Sequence, residues 1–254
     1  LEGEDTRATA KIFSQLGVRL ETPDAHTRIV HGVGLHGLKA SAEALDCGNA
    51  GTGMRLLTGL LSAQAFDSVL VGDASLSKRP MARVIRLLEA MGAHIDARDG
   101  NFAPLRIHGG RVLQGQSVDT QVASAQVKSA LIFAALYAEG ETVITEPRPT
   151  RDYTESMLKA LGWPITFEPG RVALCGGGRL HAVNFRIPGD ISSAAFLIAA
   201  ALLIPESDIT LRNIGINPRR IGVLKAFKLM GGDISLYDER FESGERVADL
   251  RIRH

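Results

Sequence analysis

The sequence predicts an α/β (α+β) fold built from a repeated βαβαββ unit, because three elements recur along the chain in a fixed order. One element is an amphipathic helix that ends at a glycine and leads into a short strand. Another is a pair of short strands around glycines. The third is a turn of small residues that enters an almost wholly apolar helix. We expect the apolar helices inside and the amphipathic helices in the shell.

The amphipathic helix occurs four times. In one copy Val84, Leu88 and Met91 fall at helical spacing and mark a buried face. A glycine just past such a stretch favours a left-handed C-cap. The copies and their glycines are residues 6–20 with Gly17, 81–95 with Gly92, 153–165 with Gly162, and 221–234 with Gly231. The copies lie roughly 70 residues apart, which sets the length of one repeat.

The other two elements complete each repeat. Paired strands are predicted at 29–35, 105–112 and 172–180, and small-residue turns before apolar helices at 47–55, 123–128 and 188–193. A β-rich stretch follows each apolar helix, at 68–71, 142–145 and 208–211. Units therefore start near Leu45, Val118 and Phe185, and the chain opens inside an earlier unit. We expect a fragment with an N-terminal domain at 1–187 and the first unit of a second domain at 188–254.

Composition narrows the class of protein. With 45% hydrophobic residues, 22% charged residues and a net charge of +1, the chain is typical of a soluble globular protein. Nothing in that balance suggests a nucleic-acid or membrane partner. Cys47 and Cys175 are too few for a disulfide scaffold, fit a reducing cytoplasm, and are expected to be small buried hydrophobic residues. The longest apolar run, 194–204, is too short to span a bilayer.

The small-residue turns are candidate anion sites. A helix N-terminus offers unpaired N–H groups and partial positive charge, and small residues let an anion approach them. Residues 48–52 and 124–126 fit this description. The alternative is that Asn49, Thr52 and Ser124 only cap helices. The segment 48–55 lacks the Lys-Ser/Thr of a Walker loop, which argues against an ATPase.

Arginines supply a second signal. Basic segments at 78–80, 148–151 and 218–220 precede amphipathic helices, where cations are electrostatically unfavourable unless an anion binds between them. Solvated surface charge is the alternative. Arg55 lies one turn into a buried helix and needs a partner, either Asp46, Asp73 or a bound anion. The seven histidines show no metal-ligand spacing, and no Ser/His/Asp arrangement can be drawn.

Five ordered motifs resemble those of the 5-enolpyruvylshikimate-3-phosphate (EPSP) synthase family, in the form of its second bacterial branch. They are residues 46–55 (DCGNAGTGMR), 72–80 (GDASLSKRP), 123–129 (ASAQVKS), 150–155 (TRDYTE) and 188–194 (PGDISSA). The resemblance implies the enolpyruvyl transferase fold, an inside-out α/β barrel of two domains with three βαβαββ units each. It also implies transfer of the enolpyruvyl group from phosphoenolpyruvate to shikimate 3-phosphate, in aromatic amino-acid biosynthesis.

The resemblance implies no metal and no organic cofactor. It implies a cytoplasmic monomer whose partners are the two small anions, with glyphosate as an inhibitor. By the same resemblance Asn49, Gly51, Thr52 and Arg79 border the phosphoenolpyruvate pocket, and Arg79 is its chief cation. Gln126 lies between the two substrates, and with Arg79 it is the expected catalytic group. Gly51 lacks the alanine methyl of glyphosate-tolerant members, so we expect the full-length enzyme to be inhibited.

For shikimate 3-phosphate, the resemblance implies that the amides of Ser124 and Ala125 hold the phosphate together with Arg151. Arg55 supports the pocket from behind. The family's opening Lys-Ser-…-Arg segment and its later acidic, Lys and Arg groups have no match in this sequence. The chain is therefore expected to hold about half of an active site and to show no turnover by itself.

Two other functions stay open. UDP-N-acetylglucosamine enolpyruvyl transferase shares the fold and the phosphoenolpyruvate chemistry, but it needs a loop cysteine, and neither Cys47 nor Cys175 lies in a plausible mobile loop. A non-catalytic or degenerate anion-binding repeat module is the other. Binding of shikimate 3-phosphate rather than a uridine nucleotide distinguishes an EPSP synthase from the UDP-N-acetylglucosamine enzyme. Turnover distinguishes it from a non-catalytic module.

Overall fold

The computed structural model describes residues 3–254 and is a mixed α/β protein. Over these residues seven α-helices form: α1 Glu4–Gln15, α2 Gly51–Leu61, α3 Ala82–Ala90, α4 Ala125–Ala135, α5 Tyr153–Ala160, α6 Ile191–Leu203 and α7 Gly222–Leu229. Thirteen strands accompany them: β1 Arg19–Glu21, β2 Ile29–His31, β3 Leu45–Asp46, β4 Ser68–Val71, β5 His94–Arg98, β6 Phe102–His108, β7 Ser117–Asp119, β8 Glu141–Thr145, β9 Ile165–Glu168, β10 Arg171–Cys175, β11 Asp208–Gly215, β12 Asp233–Glu242 and β13 Glu245–Arg253.

Strand order shows the predicted repeat directly. In one sheet β3 runs parallel to β4, β4 pairs antiparallel with β6, and β6 pairs antiparallel with β5. The second sheet repeats that order as β7-β8-β10-β9, and the third has it as β11-β13-β12. Two full units therefore have the expected sequence of strand, helix, strand, helix, strand, strand. A two-stranded sheet of β1 and β2 follows α1, as the second half of a unit.

Two strand predictions were wrong. The glycine-flanked segments each contain one strand and then leave the sheet, because the partner strand comes before them: β1 pairs with β2, β5 pairs with β6, and β9 lies beside β10. The first strand of the third unit, expected near Phe185, is reduced to a single bridge between Gly189 and Ile214.

The predicted helix C-caps were confirmed. Gly17, Gly92, Gly162 and Gly231 have φ values of 88°, 104°, 83° and 92°, in the left-handed region that favours glycine. These four positions end α1, α3, α5 and α7, so the same chain reversal closes each amphipathic helix.

Two of the apolar helices, α2 and α4, are buried as expected and pack closely against each other. The expectation was wrong for α6, which buries one face at Ile191, Ala194, Ile198 and Ala201 and leaves Phe196 and Leu203 exposed. Almost every residue of α4 is buried, from Val127 to Ala135. A Cβ atom on Gly59 of α2 would lie 2.0 Å from the Ala130 carbonyl oxygen, so the glycine is what permits the close approach. This contact fixes the two helices whose N-terminal turns carry the predicted site residues.

The chain divides into two compact units, one formed by 1–148 with 166–178 and the other by 149–165 with 179–254. The core of the second unit joins α6, α7, β11 and β13, with Ile198, Leu250 and Ile252 fully enclosed. The domain boundary expected at 187/188 stays a prediction. None of the helices between residues 3 and 254 has both the length and the apolar character that a membrane span requires.

Candidate anion-binding site

The N-terminal turns of α2 and α4 are joined by one glutamine. Gln126, in the first turn of α4, accepts a hydrogen bond from Arg55 Nη1 at 2.7 Å through Oε1. Its Nε2 donates to Thr52 Oγ1 of α2, also at 2.7 Å. Both ends of the Gln126 amide are thereby fixed, and its orientation follows from the donor and acceptor chemistry of its partners.

A second chain of hydrogen bonds orients Arg79, which follows the 3₁₀ turn Leu76–Lys78. Arg79 Nη2 donates a short hydrogen bond to Asn49 Oδ1. Asn49 Nδ2 in turn donates to Asp73 Oδ2 at 2.7 Å. The backbone N–H of Leu76, followed by the Asn49 amide, lowers the pKa of Asp73, so this carboxylate stays charged and anchors the chain.

Arg55 lies in a cationic environment. Burial lowers the pKa of this guanidinium, and the nearby charges of Arg83 and Arg79 lower it further. Within residues 3–254 its hydrogen-bond acceptors are neutral: Gln126, and the carbonyl oxygens of Gly51 at 3.3 Å and Pro80 at 3.4 Å. A half-buried guanidinium without a carboxylate partner favours a bound anion.

The carboxylates considered as partners for Arg55 are engaged elsewhere. Asp46 Oδ1 accepts the backbone N–H of Gly48 at 2.8 Å. Asp73 accepts from Asn49 and from the backbone of Leu76. Neither carboxylate is therefore the partner of Arg55, which donates instead to Gln126 Oε1; a bound anion stays a prediction.

Gly51 borders both guanidinium groups. A Cβ atom added there would lie 2.8 Å from Arg79 Nη1 and 3.3 Å from Arg55 Nη1. The first distance is shorter than a Cβ contact allows, so the absence of a side chain lets the two arginines share this corner of the site.

The turn before α4 serves partly as a cap. Ser124 is the N-cap residue, and its Oγ accepts the N–H of Val127 at 3.4 Å. The first amides of the helix, at Ala125 and Gln126, have no intrahelical acceptor and carry positive character toward an anion. Capping and ligand binding are therefore compatible here, because the side chain of Ser124 caps the helix while the neighbouring backbone amides remain available to an anion.

The second unit holds Arg151, half-buried in the loop before α5. The basic segment 218–220 of that unit is ion-paired internally. Arg219 forms a short ion pair with Asp152, and Arg220 Nη2 lies 3.1 Å from Asp190 Oδ1. Neither alternative considered for this segment, a bound anion or solvated surface charge, describes those two arginines.

Sequence reasoning missed Arg83. It lies on the exposed face of α3, four residues after Arg79, and its charge acts on Arg55. Arg79 is in an extended conformation before Pro80 and lies outside α3, so no helical spacing in the sequence links the two arginines. Sequence reasoning also expected two buried cysteines. Cys47 is buried, and burial raises its pKa to about 12, whereas Cys175 at the end of β10 is exposed.

Comparisons with known proteins identify the family of the chain. The family model described as EPSP synthase (3-phosphoshikimate 1-carboxyvinyltransferase) matches residues 1–254. A 3-phosphoshikimate 1-carboxyvinyltransferase of Xanthomonas oryzae pv. oryzae (strain PXO99A) is 61% identical over 254 residues, which are 100% of this chain and 58% of the relative. The corresponding protein of Xanthomonas euvesicatoria pv. vesicatoria (strain 85-10) is 60% identical over the same shares.

Solved structures show the same fold. An EPSP synthase from Acinetobacter baumannii superimposes with a TM-score of 0.92 at 50% identity, covering 100% of this chain and 57% of that one. The chain therefore spans somewhat more than half the length of these relatives.

Proposed function

The chain belongs to the EPSP synthase family, and on that premise we propose that it contributes part of the active site of a 3-phosphoshikimate 1-carboxyvinyltransferase. In this reaction the 5-hydroxyl oxygen of shikimate 3-phosphate forms a bond to C2 of phosphoenolpyruvate. The bond from C2 to the phosphate oxygen breaks, the hydroxyl proton is lost, and inorganic phosphate leaves. Both substrates are anions, so the site must hold several negative charges in one place.

The observation that carries the proposal is the cationic cluster around Gln126. Arg55 is half-buried, bonded to neutral groups among the described residues, and surrounded by the charges of Arg79 and Arg83. Such a cluster is unfavourable without an anion and becomes favourable when one binds. Donors held in place before the substrate arrives also stabilise charge that develops during the reaction without having to reorganise.

We assign the phosphoenolpyruvate side to Arg79, Asn49, Gly51 and Thr52. Arg79 presents a planar guanidinium that matches a carboxylate or phosphate in bidentate fashion. Asn49 fixes one edge of that guanidinium, and Gly51 leaves room beside it. Thr52 fixes the Gln126 amide, which then lies between the substrates.

We assign the shikimate 3-phosphate side to the start of α4, through the amides of Ser124 and Ala125; Arg151 is included because the family resemblance implies it. Support comes from the helix geometry, which leaves early amides available to a phosphate. Arg55 positions Gln126 and adds charge from behind.

Glyphosate is proposed as an inhibitor on chemical grounds, because its carboxylate and phosphonate resemble the two anionic groups of phosphoenolpyruvate. We further propose a cytoplasmic monomer; a content of only two cysteines fits a reducing compartment.

The test is a chimera in which this chain replaces the matching 254 residues of the Xanthomonas oryzae relative. We expect phosphate release that requires both phosphoenolpyruvate and shikimate 3-phosphate. Arg79→Lys keeps the charge but loses the bidentate geometry, so kcat/KM for phosphoenolpyruvate should fall roughly 100-fold. Arg86→Ala, on the same helix as Arg83 but outside the cluster, is the matched control.

Three outcomes contradict the proposal. Turnover with a UDP-sugar in place of shikimate 3-phosphate assigns the other enolpyruvyl transferase. Saturable binding of both anions by the chimera without phosphate release assigns a non-catalytic module. Equal activity of Arg79→Lys and the parent chimera removes Arg79 from the site.

A further inference from the structure

Two histidines and an aspartate meet on the hairpin of β5 and β6. His94 and His108 lie directly opposite each other across the antiparallel pair. Asp96 follows His94 by two residues, so both side chains project from the same face of β5. Directly opposite residues in a sheet place their side chains within contact distance. Linear spacing hides this group, because His108 is brought to the other two by strand pairing.

The side chains are close enough to share one ligand. His108 Nε2 lies 2.8 Å from Asp96 Oδ2, and His94 Nε2 lies 3.7 Å from Asp96 Oδ1. The two imidazole rings stack with centroids 4.3 Å apart at an interplanar angle of 19°. One ligand atom from each residue falls within 4.8 Å of the other two. Donor atoms that each lie roughly 2 Å from one tetrahedral metal ion are about 3.3 Å apart. The separations of 2.8 Å and 3.7 Å to Asp96 bracket that value, and a small rotation of the side chains brings the widest pair into range.

We propose that His94, Asp96 and His108 bind a divalent transition-metal ion such as Zn²⁺. Two imidazole nitrogens and one carboxylate oxygen are a donor set that suits Zn²⁺, Co²⁺, Ni²⁺ and Cu²⁺, whereas Mg²⁺ and Ca²⁺ prefer oxygen donors alone. Three protein ligands leave a fourth position for water. None of the three residues is among those assigned to the anion site.

The group is accessible to solvent. The exposed fractions of the side chains are 49% for His94, 62% for Asp96 and 28% for His108, so an ion can enter from solvent. The carboxylate of Asp96 faces both imidazole rings, at 2.8 Å from His108 Nε2 and 3.7 Å from His94 Nε2.

An outer partner also exists for His108. Asp67 Oδ2 lies 3.9 Å from His108 Nδ1, and Asp67 is fixed because its Oδ1 accepts the N–H of Gly109 at 3.0 Å. When a metal takes Nε2, the ring proton moves to Nδ1, where it faces Asp67. A carboxylate behind a metal-bound imidazole fixes the tautomer and strengthens the ligand. The ion would link β5 to β6 at the end of the hairpin away from its turn.

The test is a titration of the tag-free 254-residue chain with ZnCl₂ by isothermal calorimetry. We expect one saturable site, with affinity reduced at least tenfold in His94→Ala, His108→Ala and Asp96→Asn. His31→Ala is the matched control, because His31 Nε2 also pairs with one carboxylate, Glu21 Oε1 at 2.6 Å. Its Zn²⁺ affinity should equal that of the parent. Co²⁺ should give visible ligand-field absorption that His94→Ala abolishes.

Circular dichroism in the presence of EDTA checks that each variant folds. If His108→Ala does not fold, the Zn²⁺ affinities of His94→Ala and Asp96→Asn test the proposal. The proposal is overturned if the parent chain shows no saturable Zn²⁺ binding. It is equally overturned if these variants bind Zn²⁺ as the parent does, or if His31→Ala weakens binding as much as they do. None of these measurements involves the anion site.

Discussion

At the scale of single residues, Gly51 determines how much space is free beside Arg79 and Arg55 in the candidate anion site. Gly51→Ala would place a methyl 2.8 Å from Arg79 Nη1, so Arg79 must move or the ligand must bind farther out. In the chimera we expect a raised KM for phosphoenolpyruvate and a larger rise in the glyphosate concentration that halves activity. Gly53→Ala, whose Cβ would make an ordinary 3.4 Å contact, is the control. Unchanged glyphosate sensitivity in Gly51→Ala would count against the assigned pocket.

A second residue sets a pH dependence of stability. Burial, with help from the charges of Asp152 and Glu155, raises the pKa of Glu245 from 4.5 to about 7, although a hydrogen bond with Asn217 acts in the opposite direction. The folded state therefore binds a proton that the unfolded state has lost between these pH values. The stability that the protonated form provides is complete below pH 4.5 and is lost as pH rises through 7.

Glu245→Gln removes this titration. We expect the variant to be more stable than the parent at pH 8 by about 1 kcal/mol, a figure reduced for solvent screening because the side chain is only half-buried. Urea unfolding at pH 5 and pH 8 measures the effect. Glu206→Gln, an exposed change in the same unit, should show none. An equal gain in stability for Glu245→Gln at both pH values would refute the linkage.

At the scale of elements, the contact between α2 and α4 holds Gln126 against Thr52 and Arg55. Gly59→Ala would press a methyl against the Ala130 carbonyl, 2.0 Å away, although alanine is the better helix former. We expect a loss of about 3 kcal/mol in the free energy of unfolding, since overpacking outweighs helix propensity. Gly53→Ala in the same helix should be neutral or stabilising. Denaturant unfolding of both variants checks this, and equal stabilities would contradict it.

Elements also show what the sequence could predict. Local signals succeeded: a glycine after an amphipathic stretch requires a left-handed φ, and all four such glycines have one. Strand pairing failed because the glycines of the predicted paired strands were interpreted as hairpin turns. The real turn between β5 and β6 contains Asp99 and Gly100, with φ values of 53° and 66°. Gly109 instead turns the chain out of the sheet against the Phe66 backbone, a contact that no local pattern contains.

The candidate site, like the fold, was predictable from the sequence only in its local features. Helix N-termini with small residues are visible in a sequence, and the turns at 48–52 and 124–126 were found that way. The hydrogen-bond acceptor of Arg55 could not be predicted, because Gln126 is 71 residues away in the chain and reaches Arg55 through the packing of α2 against α4. Arg83 and the group of His94, Asp96 and His108 depend on helix and strand neighbours that are distant from one another in the chain.

At the scale of the whole molecule, several large apolar side chains of the second unit are exposed to solvent. The side chains concerned lie on α6, α7, the residues that follow them, and β12: Phe196 (80% exposed), Leu203 (78%), Leu229 (90%), Met230 (81%) and Phe241 (76%). Apolar groups concentrated in this way favour association, whereas a single exposed residue such as Val112 in the first unit does not.

We therefore expect the 254-residue chain by itself to self-associate as its concentration rises. Analytical ultracentrifugation over a wide range of loading concentrations measures this. Phe196→Gln combined with Leu229→Lys should shift it toward monomer, because burial of each large apolar side chain contributes roughly 2 kcal/mol to association. Val112→Lys is the control and should change nothing. The chimera, in which the Xanthomonas oryzae sequence supplies the rest of the protein, should be monomeric. A chain that remains monomeric at every loading would show that these side chains are too scattered to form one surface.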